Sequence, residues 1–168
     1  CRSEHVLFQH VLPQINVVQR TVMKMPATNW TDYYASGVPW YTAATRKLSA
    51  LKISRLVRAR FGTRSLSICE LGGANSCFLD EFLRFFLVHR YHVIDSNVFG
   101  LDLLVQRNLE PSVTWELADV LDDAGSDAQF DLVFSVGLVE HFDQKGTSRA
   151  IAAHFERCKP GGTVLITF

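Results

Sequence analysis

Between residues 46 and 61 (RKLSALKISRLVRARF) apolar side chains return at helical steps. Leu48, Leu51, Ile53, Leu56, Val57 and Phe61 alternate with Arg46, Lys47, Lys52, Arg55, Arg58 and Arg60. The pattern predicts an amphipathic helix with those six apolar residues on its inner face. Gly62 is placed to cap it, and basic residues in the last turn suit the negative end of the helix dipole. From there short apolar runs alternate with helical patterns. SLSICEL (65–71), YHVID (91–95), VTWEL (113–117), FDLVFSV (130–136) and TVLITF (163–168) predict strands. CFLDEFLRFFLV (77–88), FGLDLLVQRN (99–108) and GTSRAIAAHFERC (146–158) predict helices, and Lys159-Pro160-Gly161-Gly162 predicts a turn. The run at 130–136 has little polar interruption, as expected of a strand covered on both faces.

Alternation of this kind predicts an α/β fold: a Rossmann-like parallel sheet with helices on both faces. Right-handed crossovers then gather the strand C-termini along one edge, where ligands bind. Residues 1–45 depart from the pattern, with aromatics and two prolines in MPATNWTDYYASGVPWYT. We expect residues 1–64 to form a helical or lid segment and 65–168 the core. At 168 residues they make one domain overall.

Composition narrows the class. Apolar residues make up 48% of the chain, ordinary for a globular protein. No apolar run approaches the ~20 residues of a membrane span, and no signal-peptide pattern is visible. Lys plus Arg equals Asp plus Glu, 17 each. Of these, residues 1–68 hold ten basic and two acidic side chains, and residues 69–168 hold seven basic and fifteen acidic. Either the two parts attract each other within one fold, or the basic part faces an acidic acceptor or partner. A nucleic-acid partner calls for an overall basic surplus, which is absent. Cys1, Cys69, Cys77 and Cys158 show no metal-ligand spacing. They read as reduced thiols of a cytoplasmic protein, with no metal site.

The chemistry lies in five stretches. In CELGGANS (69–76), Gly72 and Gly73 follow a strand and permit close approach of backbone to a ligand. Ser76 or Asn75 can cap the next helix, and Glu70 offers a carboxylate at the strand end. In YHVIDS, Asp95 ends the second strand, followed by Ser96. An acid there can bind both hydroxyls of a ribose, or simply cap a helix. In ELADV, Asp119 follows the third strand, where it can accept a hydrogen bond from an adenine amino group or shape a turn. FDLVFSVGLVEHF runs from a buried strand into Gly137 and the pair Glu140-His141, and CKPGGTVLITF ends the chain.

Taken in order, ELGGANS, VIDS, LADV, FDLVFSVGLVEHF and KPGG resemble the motif series of class I S-adenosylmethionine-dependent methyltransferases, especially those acting on small molecules. The resemblance covers about residues 66–168. It implies that Glu70 and the turn Gly72-Gly73-Ala74 surround the methionine part of S-adenosyl-L-methionine, with S-adenosyl-L-homocysteine as product. Asp95, with Ser96 beside it, would bind the ribose. Asp119 and the Val120 amide would hold the adenine. Ser135 and Val136 would lie beside the methyl group. The family often has glycine where this chain has Ala74 and Ser76, and its sheet continues past the fifth strand with a helix and an antiparallel hairpin. Phe168 ends this sequence at that strand, so we expect a further segment, or an oligomeric partner, to cover the strand's edge.

Transfer from a sulfonium to a small-molecule acceptor needs positioning above all. Where the acceptor also needs a base, His141 is the candidate, although Glu140 and His141 can equally serve to shape the loop. Among Trp30, Tyr33, Tyr34, Trp40 and Tyr41, we expect Tyr34 and Trp40 to touch cofactor or substrate, since cations favour aromatic faces. Packing onto the sheet is the alternative. A nicotinamide-dependent oxidoreductase would show G-x-G-x-x-G, which fails at Ala74 and Cys77. A non-catalytic methyltransferase-like module, holding cofactor or nothing, remains the other reading.

Overall fold

The computed structural model describes residues 29–35, 40–122 and 129–168, with residues 40–44 described by backbone alone. Two helices, α1 (Trp30–Ala35) and α2 (Trp40–Phe61), precede β1 (Leu66–Leu71). Then follow α3 (Leu79–Phe85), β2 (Val88–Asp95), α4 (Val98–Val105), β3 (Val113–Leu117) and β4 (Phe130–Val136). A 3-10 turn (Val139–His141), α5 (Gln144–Glu156) and β5 (Cys158–Thr167) complete the chain. The strands form one sheet in the order β3-β2-β1-β4-β5, and every neighbouring pair is parallel. The Rossmann-like α/β fold expected from the sequence is thus the fold observed. The chain winds outward from β1 to β3, then returns across β1 to begin β4. That reversal opens a crevice at the C-terminal ends of β1 and β4, the usual ligand position in such sheets.

Alternation along the strands divides the core between two faces. On one, Leu66, Ile68, Tyr91, Val93, Leu132 and Phe134 pack with Phe82 of α3, Leu101 and Leu104 of α4, and the buried side of α2. The other holds Cys69, Leu71, Ile94, Phe130 and Val133, and α5 supports β4 through the buried His154. The expected boundary at residue 64 falls in the turn after α2, but α2 shares the hydrophobic core of the strands.

Three elements differ from the sequence expectation. Helix α2 begins at Trp40 rather than Arg46, and its buried face is Ala50, Ile53, Ser54, Val57 and Phe61. Leu48, Leu51 and Leu56 point outward, at 59%, 37% and 62% exposure. Leu48 and Val57 are nine positions apart, about two and a half helical turns, so they lie on opposite sides. The predicted stripe had merged two faces. Second, α3 stops at Phe85, and the chain enters β2 at Val88, because Val88 and Arg90 pair with Leu66 and Ser67 of β1. Third, Lys159-Pro160-Gly161-Gly162 is an excursion inside β5, not a turn before it. Phe130 pairs with Cys158, and the next pair is Leu132 with Thr163. Gly161 takes φ +77°, and a side chain on Gly162 would come within 2.9 Å of the Asp131 carbonyl oxygen.

Among the described residues no helix is long and apolar enough to cross a membrane, and no group of side chains could hold a metal ion. Cys69, Cys77 and Cys158 are free thiols; Cys1 lies outside the described residues.

Candidate functional site

The strand ends enclose one hollow. Gly72 reaches it from β1, Asp95 and Ser96 from β2, Asp119 and Val120 from beyond β3, and Gly137 and Leu138 from beyond β4. His141 and Phe142 wall one side, and Trp30 and Tyr34 of α1 close it from above.

The two acids at its rim share a local geometry. Asp95 is buried, and its Oδ1 accepts the Asn97 N–H at 2.7 Å. Desolvation raises its carboxyl above the ordinary value, opposed by backbone N–H groups of Asn97, Ala74 and Ser96. Asp119 is exposed, and its Oδ1 accepts the Leu121 N–H at 2.9 Å. Each carboxylate therefore has one oxygen fixed by an amide two residues on, the arrangement of an Asx turn. Both residues shape a turn, and both line the hollow.

Glu70 does not join them. It is 4% exposed and lies beneath the turn, where its Oε2 accepts the Tyr91 hydroxyl at 2.6 Å. Burial pushes its carboxyl up to about 7, against the pull of hydrogen bonds from Ser76 and Tyr91. A Cβ on Gly73 would stand 2.7 Å from Glu70 Cδ. Of the three acids singled out in the sequence, Asp95 and Asp119 line the hollow and Glu70 lies under the turn. The reason is depth in the strand: Glu70 projects to the same face as Ile68, beside Tyr91 and short of the end of β1, whereas Asp95 is the last residue of β2.

The turn carries a left-handed backbone at Ala74 as well as at Gly72. Gly72 has φ +70° and Ala74 φ +30°. A side chain on Gly72 would meet Leu138 Cδ1 at 2.7 Å, so Leu138 lies directly over the bare backbone. Ser76 Oγ accepts the N–H groups of Phe78 and Leu79 at 3.1 and 3.0 Å, which ties the turn to the start of α3.

Ser135 and Val136 do not line the hollow. Ser135 is fully buried, and its hydroxyl meets His154 Nε2 at 2.9 Å. His154 Nδ1 lies 2.7 Å from the Ala150 carbonyl oxygen. That carbonyl can only accept, so Nδ1 carries the proton and Nε2 accepts from Ser135. Burial lowers the His154 pKa. Val136 packs into the opposite core face. The end of β4 reaches the hollow one step later, through Gly137, held at φ +70° by its N–H bond to the Thr167 carbonyl.

His141 lies in the wall, its ring 4.8 Å from that of Trp30 in an edge-to-face arrangement. Tyr34 is half-buried, and its hydroxyl is pushed well above the ordinary value by burial and by the charge of Asp95. The side chain of Trp40 lies outside the described residues, as does that of Tyr41. Tyr33 turns to α2, where Arg46 donates to its hydroxyl.

Several residues at the site were not singled out by sequence. Arg107 donates to the Ser76 carbonyl at 2.6 Å, to Asn75 Oδ1 at 3.2 Å and to Asp80 at 2.6 Å, and so clamps the turn to the start of α3. Asn97, Leu138 and Phe142 were also missed. Asn97 carried a signal: a capping residue before VFGLDLLV. Arg107 carried none, since its partners are about 30 residues away.

The profile of the family described as a methyltransferase domain matches residues 68–162. The chain belongs to that family, and the nicotinamide oxidoreductase reading is set aside. No curated protein sequence matches significantly. Among solved structures, the chain is similar to the N-methyltransferase NodS from Bradyrhizobium japonicum WM9 in complex with S-adenosyl-L-homocysteine. The TM-score is 0.58 at 22% identity, covering 67% of this chain and 58% of that one. CalS10, the S-adenosylmethionine-bound amino pentose methyltransferase from Micromonospora echinaspora, gives 0.60 at 18% identity, covering 98% and 58%. The glycopeptide N-methyltransferase MtfA gives 0.59 at 20%, covering 70% and 52%. These likenesses establish the shared fold. The chain spans less than two thirds of the length of each of these structures.

Proposed function

We propose that this chain is the cofactor-binding core of an S-adenosylmethionine-dependent methyltransferase acting on a small-molecule acceptor. The observation that carries the reading is the convergence of Asp95, Asp119 and the bare backbone of Gly72 on one hollow at the sheet's switch point.

The residues present suit such a cofactor. Asp95 offers acceptor capacity to a ribose, and Asp119 to an adenine amino group. Val120 and Phe142 supply the apolar wall a base needs, and Gly72 and Gly137 let a ligand approach the backbone. The bound cofactor would supply a sulfonium-activated methyl group. The chain's own task is then to orient and to exclude water, which can account for roughly 7–11 kcal/mol of barrier. The aromatic side chains of Trp30 and Tyr34 provide faces that attract a cation and shield the hollow. His141, at the wall beside Trp30, is the group in position to take a proton from a hydroxyl or amine acceptor. NodS, MtfA and CalS10, which share the fold, are methyltransferases by their descriptions, CalS10 an amino pentose one. That supports a small-molecule acceptor here.

Calorimetric titration with S-adenosyl-L-homocysteine tests the reading. We expect micromolar or tighter binding, weakened at least about tenfold by Asp95→Ala. Absence of binding at millimolar ligand would overturn it and leave a methyltransferase-like module without cofactor.

A further inference from the structure

The first turn of α4 is the meeting point of three parts of the site. A Cβ on Gly100 would stand 2.7 Å from the Ala74 methyl, and 3.0 and 3.2 Å from Cε2 and Cδ2 of Tyr34. Gly100 lies within α4, where its backbone needs no special conformation. What it supplies is room. One neighbour belongs to the turn after β1, the other to the helix over the hollow. Asn97, three residues earlier, ties the same parts by hydrogen bonds. Its Oδ1 accepts the Gly100 N–H at 2.7 Å, and its Nδ2 donates to Thr31 Oγ1 of α1 at 3.2 Å. Its own N–H donates to Asp95 Oδ1 at 2.7 Å.

We propose that Gly100 is a positioning residue for the cofactor pocket: its vacant side-chain space seats Tyr34 against the 72–74 turn and thereby sets how α1 closes over Asp95. The Ala74 methyl is fully buried and occupies part of that space. The turn holds alanine where the resembled family often holds glycine, and the glycine stands across the contact instead. A side chain at 100 therefore strikes both the turn and α1, and the two consequences are separable. In the swap Ala74→Gly/Gly100→Ala the methyl moves across the contact. The turn is relieved, but the new methyl still presses on the Tyr34 ring.

The ligand half of this inference rests on the function proposed above, and the experiment keeps the two apart. Affinity for S-adenosyl-L-homocysteine is measured by calorimetry and thermal stability by melting. Trp30 emission is followed in a Trp40→Phe/Trp115→Phe background, since the chain has 3 tryptophans. Gly100→Ala should weaken binding about tenfold, the scale of overpacking at a tight contact, and shift Trp30 emission to the red. The swap should regain thermal stability while keeping the weak binding and the red shift. In a Tyr34→Ala background, the swap should cause no additional loss of affinity. Wild-type affinity and emission in the swap would overturn the proposal and make Gly100 a packing partner of Ala74 alone. Wild-type affinity and emission in Gly100→Ala would do the same. Should the unmodified protein bind no S-adenosyl-L-homocysteine, the proposed function falls. The Trp30 emission of Gly100→Ala still decides the seat, and an unshifted spectrum would sink it.

Discussion

The acids at the ends of β2 and β3 and the turn after β1 face the same hollow, yet they are built in opposite ways. Asp95 and Asp119 are each held by an amide two residues along the chain. The turn at 72–76 is held from far away: by Glu70 anchored on Tyr91, by Arg107, by Leu138 and by the notch at Gly100. Locally built parts should lose function without losing the fold when altered. The remotely built part should lose stability first.

Glu70 gives the largest expected effect. Its carboxyl rises from an ordinary 4.5 to about 7 on folding, because burial disfavours the charge. Between those values the folded chain keeps a proton that the unfolded chain releases. This group's contribution is therefore complete below about 4.5, declines as pH rises, and is gone above about 7. Across pH 5 to 8 the loss is on the order of 2–3 kcal/mol. Glu70→Gln keeps a neutral partner for Tyr91 and should remove that slope. His154, whose pKa burial lowers, contributes an opposite slope below its ordinary 6.5. The decisive quantity is thus the difference between variant and wild type in urea unfolding at the two pH values. An identical slope in both would show that Glu70 is not protonated on folding.

Arg107 comes next. Arg107→Ala strips a charged donor from the Ser76 carbonyl and from Asn75, and should cost about 2 kcal/mol of unfolding free energy. Its ion pair with Asp80 contributes little, because the Asp80 side chain is 82% exposed. Asp80→Ala should therefore stay within about 0.5 kcal/mol of wild type. Equal losses in the two variants would move the clamp from the turn to the surface pair and erase the contrast between the two regions.

The same contrast explains what could be read from residues alone. Asp95 and Asp119 were legible because everything that places them is nearby: a strand, a turn, and an amide two residues on. Parallel strands were legible because buried runs such as FDLVFSV announce themselves. From residues alone Glu70, a strand-end acid next to a glycine turn, looks like a ligand. Only the pairing of β1 with β2, which sets it against Tyr91 21 residues away, shows it to be a support. The residue of this stretch that reaches the hollow lies two positions beyond Ser135. Ser135 bonds His154 within the strand, and the hollow receives Gly137 from beyond the strand's end instead. Helix α2 scatters leucines over both faces, and tertiary packing, not periodicity, chose the side with Ala50 and Ser54.

The smallest effect on stability, and the sharpest test of local construction, belongs to Asp119. Its Oδ1 is occupied by the Leu121 amide, and the residue is otherwise exposed. Asn keeps that oxygen, so Asp119→Asn should unfold within about 0.5 kcal/mol of wild type. Asp119→Ala loses the turn bond and should cost about 1 kcal/mol. Toward a ligand the ranking changes. With its oxygen committed to Leu121, Asn presents an NH2 donor to the hollow, where the carboxylate presented an acceptor. An amino group on the ligand then meets a donor, so Asn should weaken S-adenosyl-L-homocysteine binding at least as much as Ala, about three- to tenfold. Unfolding and calorimetric titration of the two variants check both rankings. Wild-type affinity in Asp119→Asn would mean that the second oxygen meets no donor, which would leave Asp119 as a former of its own turn.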